Sequence, residues 1–226
     1  PAEFKDEERK RLLAAIDDLK KEYAALPAVI EYLATTQQTV IDNVDDFRHT
    51  TEEAPEITFL GIPISRPGGA PSLRRYQVNV LIDNSALKGA PVVYEDSPTY
   101  AGLIGRIEHI AQMGALVTDF MLIKPGALHR ANGGYLMLDV RKVLMQPFAW
   151  EGLKRVLSAR EVRIESLGQA LSLVSTVSLE PEPIPLKLKV VLVGERMLFY
   201  LLQAYDPDFG RLFRVAAEIG RASCRE

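Results

Sequence analysis

The fold of this chain is decided by one stretch of sequence, Gly126-Ala127-Leu128-His129-Arg130-Ala131-Asn132-Gly133-Gly134-Tyr135-Leu136-Met137-Leu138-Asp139. Residues 135–138 form a short apolar run that follows two glycines and ends at an acid, the pattern of a buried strand of a parallel sheet. Asp139 then lies at the carboxyl end of that strand, where ligands collect in open α/β sheets, and it can hold a phosphate-bound Mg²⁺ through water. The local pattern fits equally well an Asp139 that only ends a core strand.

Four strings of sequence around this stretch carry a resemblance to a known family. They are Ser97-Pro98-Thr99-Tyr100, Leu103-Ile104-Gly105-Arg106-Ile107-Glu108-His109, Gln146-Pro147-Phe148-Ala149-Trp150-Glu151 and Val174-Ser175-Thr176-Val177-Ser178-Leu179-Glu180-Pro181-Glu182-Pro183-Ile184-Pro185. With the paired glycines and the acid, the second string resembles the Walker B region of AAA+ ATPases, in the branch of Lon-type proteases, magnesium chelatase and bacterial enhancer-binding activators. Within that branch the other three strings are similar to the Lon-like protease homologues of bacteria. The resemblance covers roughly positions 1–217 and is specific from about Tyr76.

This resemblance implies an α/β fold: a partial AAA+ P-loop-type α/β/α sandwich preceded by an antiparallel helical hairpin. It implies ATP and Mg²⁺ as ligands and a homo-oligomeric ring, with a hexamer expected. The ring would feed unfolded or damaged proteins to a peptidase chamber. The Ser-Lys dyad of that chamber belongs to a domain beyond the end of this chain, so no peptidase nucleophile is assigned. Contact with DNA is left open.

Composition and resemblance divide the chain into four parts. Residues 1–50 carry apolar side chains at helical spacing and are expected to be the end of the family's helical insertion, a hairpin or coiled-coil arm that either only packs or also contacts substrates. Residues 51–73, rich in Pro and Gly, are expected to be a linker, and 74–217 a partial ATPase core. The tail 218–226 departs from the family, resembles a translated sequencing adapter, and is treated as non-native.

Composition and charge exclude few classes of protein. A formal net charge of -3 over 226 residues gives no overall reason to expect nucleic acid as the main partner. No apolar run reaches the roughly 18 to 20 residues that cross a bilayer, and no secretory signal is present, so a soluble cytoplasmic protein without membrane contact is expected. The single cysteine, Cys224, allows neither an internal disulfide nor a cysteine-based zinc site.

Strands alternate with helices in the predicted core, which indicates a sheet between helices. Strands are predicted at 76–82, 92–94, 135–138, 161–165, 171–179, 188–193 and 212–216, and helices at 98–109, 148–159 and 197–204. The segments 78–82, 135–138 and 188–193 are expected to share one sheet. The strand at 171–179 is expected to form a hairpin with the proline-rich turn 181–185.

An apolar turn, Met113-Gly114-Ala115, follows the first predicted helix of the core. By resemblance, ring-forming ATPases of this branch place here a loop that grips a threaded polypeptide in the central pore. A surface turn with an incidental methionine is the alternative.

Only part of the machinery for ATP hydrolysis is encoded in the chain. No Gly-x-x-x-x-Gly-Lys-Ser/Thr occurs, and by resemblance the phosphate loop lies upstream of the helical insertion. The chain alone is therefore expected to bind ATP poorly. Asp139 matches the Walker B acid. The next position, usually a Glu that orients the attacking water, is Val140, so hydrolysis would require another acid.

Two further residues are candidates for catalysis. By resemblance, Glu195 occupies the place of a polar sensor that is generally Asn, although a solvated acid that ends a strand is the alternative. Arg214 lies near where the branch supplies an arginine finger to a neighbouring subunit; the alternative is a surface ion pair with Asp206 or Asp208.

The three histidines, His49, His109 and His129, lack the spacing of a metal-ligand pair. We expect His109 and His129 to bond buried polar groups. Metal binding is therefore assigned to Asp139 alone.

Two other classes of function stay open. A non-proteolytic remodeller, DNA-linked or transcription-activating, is one, because similar Walker B surroundings occur there. A degenerate ATPase that serves as a scaffold is the other, motivated by Val140 and Glu195. A downstream Ser-Lys peptidase domain would favour the protease, and a helix-turn-helix would favour the remodeller.

Overall fold

The computed structural model describes residues 2–43, 57–59, 62–64, 76–112, 115–165 and 179–218. The chain forms two compact units, 1–78 and 79–226. None of the helices in the described ranges is long and apolar enough to span a bilayer.

Two helices make up most of the first unit, α1 (Ala2–Glu22) and α2 (Pro27–Asp42). Pro27 lies in the first turn of α2, where backbone N–H groups have no partner within the helix in any case. Lys20 of α1 hydrogen-bonds Gln37 of α2, so the helices pack against each other as a hairpin. Their buried side chains are Ile16, Leu33 and Val40.

Two short strands lie within the segment whose composition predicts a linker. The strand β1 (Ile57–Phe59) pairs antiparallel with β2 (Ile62–Ile64). β-branched and aromatic residue types favour extended backbone, and five of the six residues in these two strands are of these types. The remainder of 51–73 lies outside the described residues.

The second unit alternates strands and short helices. In chain order these are β3 (Val92–Glu95), α3 (Tyr100–Ile104), β4 (Gly105–Ile107), β5 (Ile110–Gln112), β6 (Ala115–Val117), β7 (Ile123–Pro125), α4 (Ala127–Arg130), β8 (Tyr135–Asp139), α5 (Val140–Met145), α6 (Ala149–Ala159), β9 (Glu161–Val162), β10 (Ile184–Pro185), β11 (Lys189–Val193), α7 (Arg196–Tyr205) and α8 (Phe209–Leu212). A single 3-10 turn, Phe120–Leu122, precedes β7.

A three-stranded parallel sheet in the order β11, β8, β3 lies at the centre of this unit. In the middle strand, Tyr135 lies opposite Val92 on one side and Lys189 on the other. The strands predicted at 92–94, 135–138 and 188–193 are therefore confirmed, and they share one sheet; the expectation that 78–82 joins this sheet is wrong. The fold class is α/β.

One face of the sheet is packed and the other is open. Leu136 and Leu138 are fully buried and join one hydrophobic cluster with residues of α5, α6 and α7. On the opposite face Tyr94 is 57% exposed, and Tyr135 and Val191 are each 39% exposed. Parallel sheets are ordinarily covered on both faces. Among the described residues, helices cover only one face of this sheet.

The turn before β8 fixes this strand between its two neighbours. Gly133 has a φ of 84° and donates its N–H to the Lys187 carbonyl at 2.8 Å. Asn132 accepts the Lys187 N–H on Oδ1 at 2.8 Å. A Cβ on Gly134 would lie 1.9 Å from the Pro91 carbonyl oxygen, so only glycine permits this approach. The Asn-Gly-Gly string is therefore a requirement of backbone geometry.

The predicted strand at 76–82 is wrong. The segment joins none of the sheets in the described part of the chain, and β3 is the third strand of the sheet that it is expected to share. The reason is a side-chain contact: Asn79 Nδ2 donates to the carbonyls of Phe120 and Ile123, at 2.7 and 3.1 Å. These two bonds hold the backbone away from a β ladder.

The helix predicted at 98–109 is shorter than expected. It ends at Ile104, because Gly105 has a φ of 100° and begins β4. A Cβ at Gly105 would lie 2.7 Å from the Lys124 carbonyl oxygen. The close pairing with β7 therefore stops the helix.

Two predictions for the last third of the chain also need correction. The strand predicted at 161–165 is shorter: β9 covers only Glu161–Val162, which pairs antiparallel with β10. Most of the strand predicted at 171–179 lies outside the described residues. The strand predicted at 212–216 is wrong, because α8 occupies its start and no strand follows in the described part. The Phe213 ring stacks on Trp150, with ring centroids 5.9 Å apart, which draws the chain toward α6.

Asp206 joins α6 to the end of α7. Its carboxylate accepts the Trp150 Nε1–H at 2.6 Å, pairs with Lys154 Nζ at 2.9 Å and accepts the Asp208 N–H at 2.9 Å. Burial alone would raise the pKa of Asp206, but these hydrogen bonds together lower it below its ordinary value. The ionised carboxylate therefore stabilises this corner of the fold.

We predict that Gly134→Ala lowers the free energy of unfolding by about 1–3 kcal/mol or more, because the new methyl group would overlap the Pro91 carbonyl. Urea denaturation measures the change. Gly89→Ala is the matched control, since a Cβ there meets nothing within 4 Å. Equal stability of the two variants would contradict the tight approach.

We predict that Asp206→Asn lowers the free energy of unfolding at pH 7 by about 1–3 kcal/mol, because Lys154 and Trp150 lose an ionised partner. The folded-state pKa of Asp206 is lowered, so the advantage of the wild type should be complete above the ordinary carboxyl value of about 4 and should vanish as the pH falls through the folded-state value. Denaturation at several pH values tests this. Asp208→Asn, which removes an exposed pair with Arg211, should change stability little at any pH.

Candidate functional site

The carboxyl ends of the three parallel strands form one edge of the second unit. Glu95 pairs in register with Leu138, and Val193 pairs with Asp139. The ends of neighbouring parallel strands in an α/β sheet are where ligands are ordinarily bound. Asp139 therefore lies in the middle of the sheet edge where a ligand is expected to bind. The sequence predicts this position at the end of a strand.

Asp139 has a structural role as well. It is the N-cap of α5, and its Oδ1 accepts the Lys142 N–H at 3.1 Å. An N-cap of this kind typically contributes about 1 kcal/mol to helix stability. The bond fixes the carboxylate at the strand end and leaves Oδ2 as its remaining acceptor.

Val140 faces the hydrophobic core. Its side chain is 5% exposed, and a Cβ on Gly194 would lie 2.2 Å from Val140 Cγ1. The backbone after β11 therefore closes directly over this side chain. An acid at position 140 could not reach the strand edge without repacking the core, so the position does not supply a group that orients water.

Glu195 lies at the same edge as Asp139, on the neighbouring strand. It follows β11 by two residues and is the N-cap residue of α7, but its side chain makes no capping hydrogen bond. The side chain is exposed. In the described part of the chain Glu195 makes no ion pair with the neighbouring Arg196, whose side chain contacts Glu218 of the tail treated above as non-native.

No contact within the described ranges joins Arg214 to this edge of the sheet. It follows α8, and its Nε donates to the Arg211 carbonyl at 3.2 Å. In the described ranges its side chain makes no ion pair with Asp206 or Asp208; Arg211 pairs with Asp208 instead, at 3.1 Å. The assignment of Arg214 as an arginine finger stays a prediction.

Two ion pairs beside the strand ends could not be found from sequence spacing. Lys142 pairs with Asp96, and Arg130 pairs with Glu95. In each pair the acid comes from the end of β3 and the base from an element next to β8. The hydrogen bond to Asp96 raises the pKa of Lys142 above its ordinary value, although desolvation opposes the charged form. Both cations thus lie near the end of β3, where each is paired with an acid.

The Asp139 carboxylate suits only one kind of metal site, in which the ion takes most of its ligands from substrate and water. Within the described ranges no group of three or more His, Cys, Asp or Glu side chains is arranged to hold a metal ion. A single carboxylate with one available oxygen suits Mg²⁺ that arrives on substrate phosphates and keeps most of its waters. Asp139 could hold such an ion through water. Asp139 lines neither of two depressions on the described surface, although Arg130 lines one of them.

A long antiparallel hairpin projects between α3 and α4. Its base is the pairing of β4 with β7, and its outer part is the pairing of β5 with β6. Glu108 joins the two ladders, since its N–H donates to the Leu122 carbonyl at 2.9 Å and its carbonyl accepts the Thr118 hydroxyl at 2.8 Å. Ile110 and Val117, a cross-strand pair of the outer part, are 42% and 45% exposed. The residues 113–114 between β5 and β6 lie outside the described ranges.

His129 anchors the helix between this hairpin and β8. It is 4% exposed, and its Nδ1 accepts the Gly126 N–H at 3.3 Å, which caps α4. The proton is therefore on Nε2, which is buried and has no hydrogen-bond partner among the residues that the structure describes. Burial lowers the pKa of His129 to about 4. The expected buried polar contact is present for His129, but the expectation for His109 is wrong because its side chain is exposed.

Comparisons with known proteins give a consistent result. A family model described as "LonB-like, AAA domain" matches residues 88–220, which is more than half of the chain. A protein of Escherichia coli (strain K12) named "Putative Lon protease homolog" is 35% identical over 86 residues, which are 38% of this chain and 14% of that protein. The matched part thus spans a small fraction of that relative's length.

We predict that stability falls as the pH drops from about 6.5 to about 4, because the unfolded His129 takes up a proton in this range and the buried one does not. The loss attributable to His129 is about 3 kcal/mol at its largest. It is measured as the difference in pH dependence between the wild type and His129→Gln. The exposed His109→Gln is the control and should follow the wild type; a His129→Gln variant with the same pH dependence as the wild type would contradict the assignment.

Proposed function

Because the chain belongs to the LonB-like AAA domain family, we propose that it is part of the ATPase module of a Lon-like, ATP-dependent serine protease. The module couples the nucleotide state to the unfolding and movement of protein substrates. The observation that carries this proposal is Asp139 at the carboxyl edge of the middle strand of a parallel sheet, with one carboxylate oxygen held by a helix cap and the other available.

The residues of this chain supply part of the nucleotide site. Asp139 would hold Mg²⁺ through water, and the ion would neutralise charge on the phosphates of ATP, the substrate. Glu195 lies on the next strand end, where it could respond to the state of the γ-phosphate. Arg214 is proposed to reach the nucleotide of a neighbouring subunit. The phosphate cradle is not encoded in this sequence and is assigned to other residues of the longer polypeptide.

The projecting hairpin from β4 to β7 is the proposed contact with unfolded protein. Its outer ladder exposes the apolar Ile110 and Val117, and apolar groups can hold a chain of any sequence. In a homo-oligomeric ring such hairpins would converge on the axis. Peptide cleavage is assigned to a separate Ser-Lys domain, and the assembly is expected in the cytoplasm.

A second candidate function is favoured by one observation. Val140 is buried beneath Gly194, so the position that ordinarily orients water is closed. A module that binds nucleotide and hydrolyses it slowly, or serves as a structural ring, has the same arrangement. The two candidates differ in the turnover of ATP.

We predict that the full polypeptide carrying this chain hydrolyses ATP and that Asp139→Asn lowers turnover by about 10- to 100-fold, the range for loss of a group that positions a metal through its outer shell. Release of inorganic phosphate measures turnover. Asp208→Asn, far along the chain and exposed, is the control and should retain the wild-type rate. A wild type without turnover would exclude the ATPase module and favour the scaffold, whereas turnover that survives Asp139→Asn would contradict the role of Asp139.

A further inference from the structure

One edge of the described sheet lacks a partner strand. The strand β3 pairs with β8 alone among the described residues. Its ladder begins with the bond from Tyr135 N–H to the Pro91 carbonyl, at 2.8 Å. By the alternation of a parallel ladder, Val93 and Glu95 direct their peptide groups toward β8. The peptide groups of Val92 and Tyr94 point the other way, toward the unpaired edge of β3.

The segment 79–82 lies beside this edge without forming a strand. Leu81 and Ile82 line a depression of about 540 Å³ together with Val92 and Val93. Val80 is 67% exposed. The sequence alternates as a strand does, yet its apolar side chains have no regular partners in the described part of the chain.

An antiparallel pairing would match the two segments residue by residue. The connection 83–91 already contains a reversal, with the Leu87 N–H donating to the Asn84 carbonyl at 3.0 Å. In the register that this connection permits, Ile82 lies opposite Val92. Leu81 then lies opposite Val93 and Val80 opposite Tyr94.

This register also agrees with the two faces of the sheet. Val92 and Tyr94 are 65% and 57% exposed on the open face, where Val80 would join them. Val93 packs against the core cluster on the other face, where Leu81 would join it. Side chains of successive residues alternate between the faces, so this register satisfies both, and a shift by one residue would satisfy neither.

Asn79 is the contact that prevents the pairing. Its Nδ2 donates to the carbonyls of Phe120 and Ile123, which belong to the turn before β7 and to β7 itself. The side chain therefore holds Asn79 at the base of the projecting hairpin, while Leu81 and Ile82 line the depression beside β3 without pairing with it.

We propose that 79–82 is a latent edge strand, which pairs antiparallel with β3 when Asn79 leaves the carbonyls of Phe120 and Ile123. The exchange links the base of the hairpin to the sheet that carries Asp139. When the hairpin moves, the segment 79–82 can thus adopt a defined second state, in which it is paired with β3. The inference stands on the packing alone and does not depend on nucleotide.

A pair of cysteines tests the register. In a Cys224→Ser background, Val80→Cys with Tyr94→Cys places two thiols opposite each other in the paired state, where Cα atoms lie about 5.5 Å apart and suit a disulfide. Leu81→Cys with Tyr94→Cys is the control, because those side chains lie on opposite faces. The first pair should crosslink under mild oxidation and the second should not. Equal crosslinking of the two pairs would overturn the proposed register.

A second variant tests the latch. Adding Asn79→Ala to the in-register pair should speed crosslinking about tenfold, the population shift that corresponds to one net hydrogen bond. Asn84→Ala, on the exposed connection, is the control and should leave the rate unchanged. A rate that Asn79→Ala does not change would overturn the role of Asn79.

Amide hydrogen exchange gives a readout without cysteines. In Asn79→Ala the amides of Val92 and Tyr94 should become more protected than in the wild type, because they would donate to the new strand. Faster amide exchange throughout 92–95 in Asn79→Ala would contradict a latent strand. It would indicate that the substitution only destabilises the edge of the sheet.

Discussion

The structure of the second unit depends on one close approach of backbone, at the turn before β8. Gly134 can lie against the Pro91 carbonyl only because it has no side chain, and the next N–H then begins the ladder to β3. On the other side the Gly134 carbonyl accepts the Lys189 N–H at 2.9 Å, which begins the ladder to β11. Asn132 and Gly133 hold the chain that leads into β11. Both registers of the sheet are thus set within one short turn.

The chemistry of the carboxyl edge follows from those registers. With β8 fixed in the middle, Asp139 ends level with Val193, and Glu195 comes from the adjacent strand to the same edge. The same geometry removes Val140 from consideration as a site for a catalytic acid, because Gly194 closes over it. The edge therefore presents the Asp139 carboxylate and the solvent-exposed Glu195. The ability to bind a nucleotide and the ability to hydrolyse it are separate questions.

The sequence predicts those parts of the fold whose causes are local. The apolar runs of β8 and β11 and the place of Asp139 at a strand end follow from neighbouring residues. The end of α3 does not, because Gly105 is required by a strand that pairs with it from later in the chain. The failure at 76–82 has a similar cause, since Asn79 bonds carbonyls distant in sequence. The substitution at Val140 is visible in the sequence, but its burial depends on the neighbouring strand.

The central claim is that the Asp139 carboxylate serves a nucleotide through Mg²⁺. Calorimetric titration of the full polypeptide with ATP, in the presence of Mg²⁺ and of a chelator, tests it most directly. The account predicts that Mg²⁺ strengthens ATP binding to the wild type and that this gain is lost in Asp139→Asn, while binding without metal is equal in both. A gain from Mg²⁺ of the same size in both proteins would contradict the account.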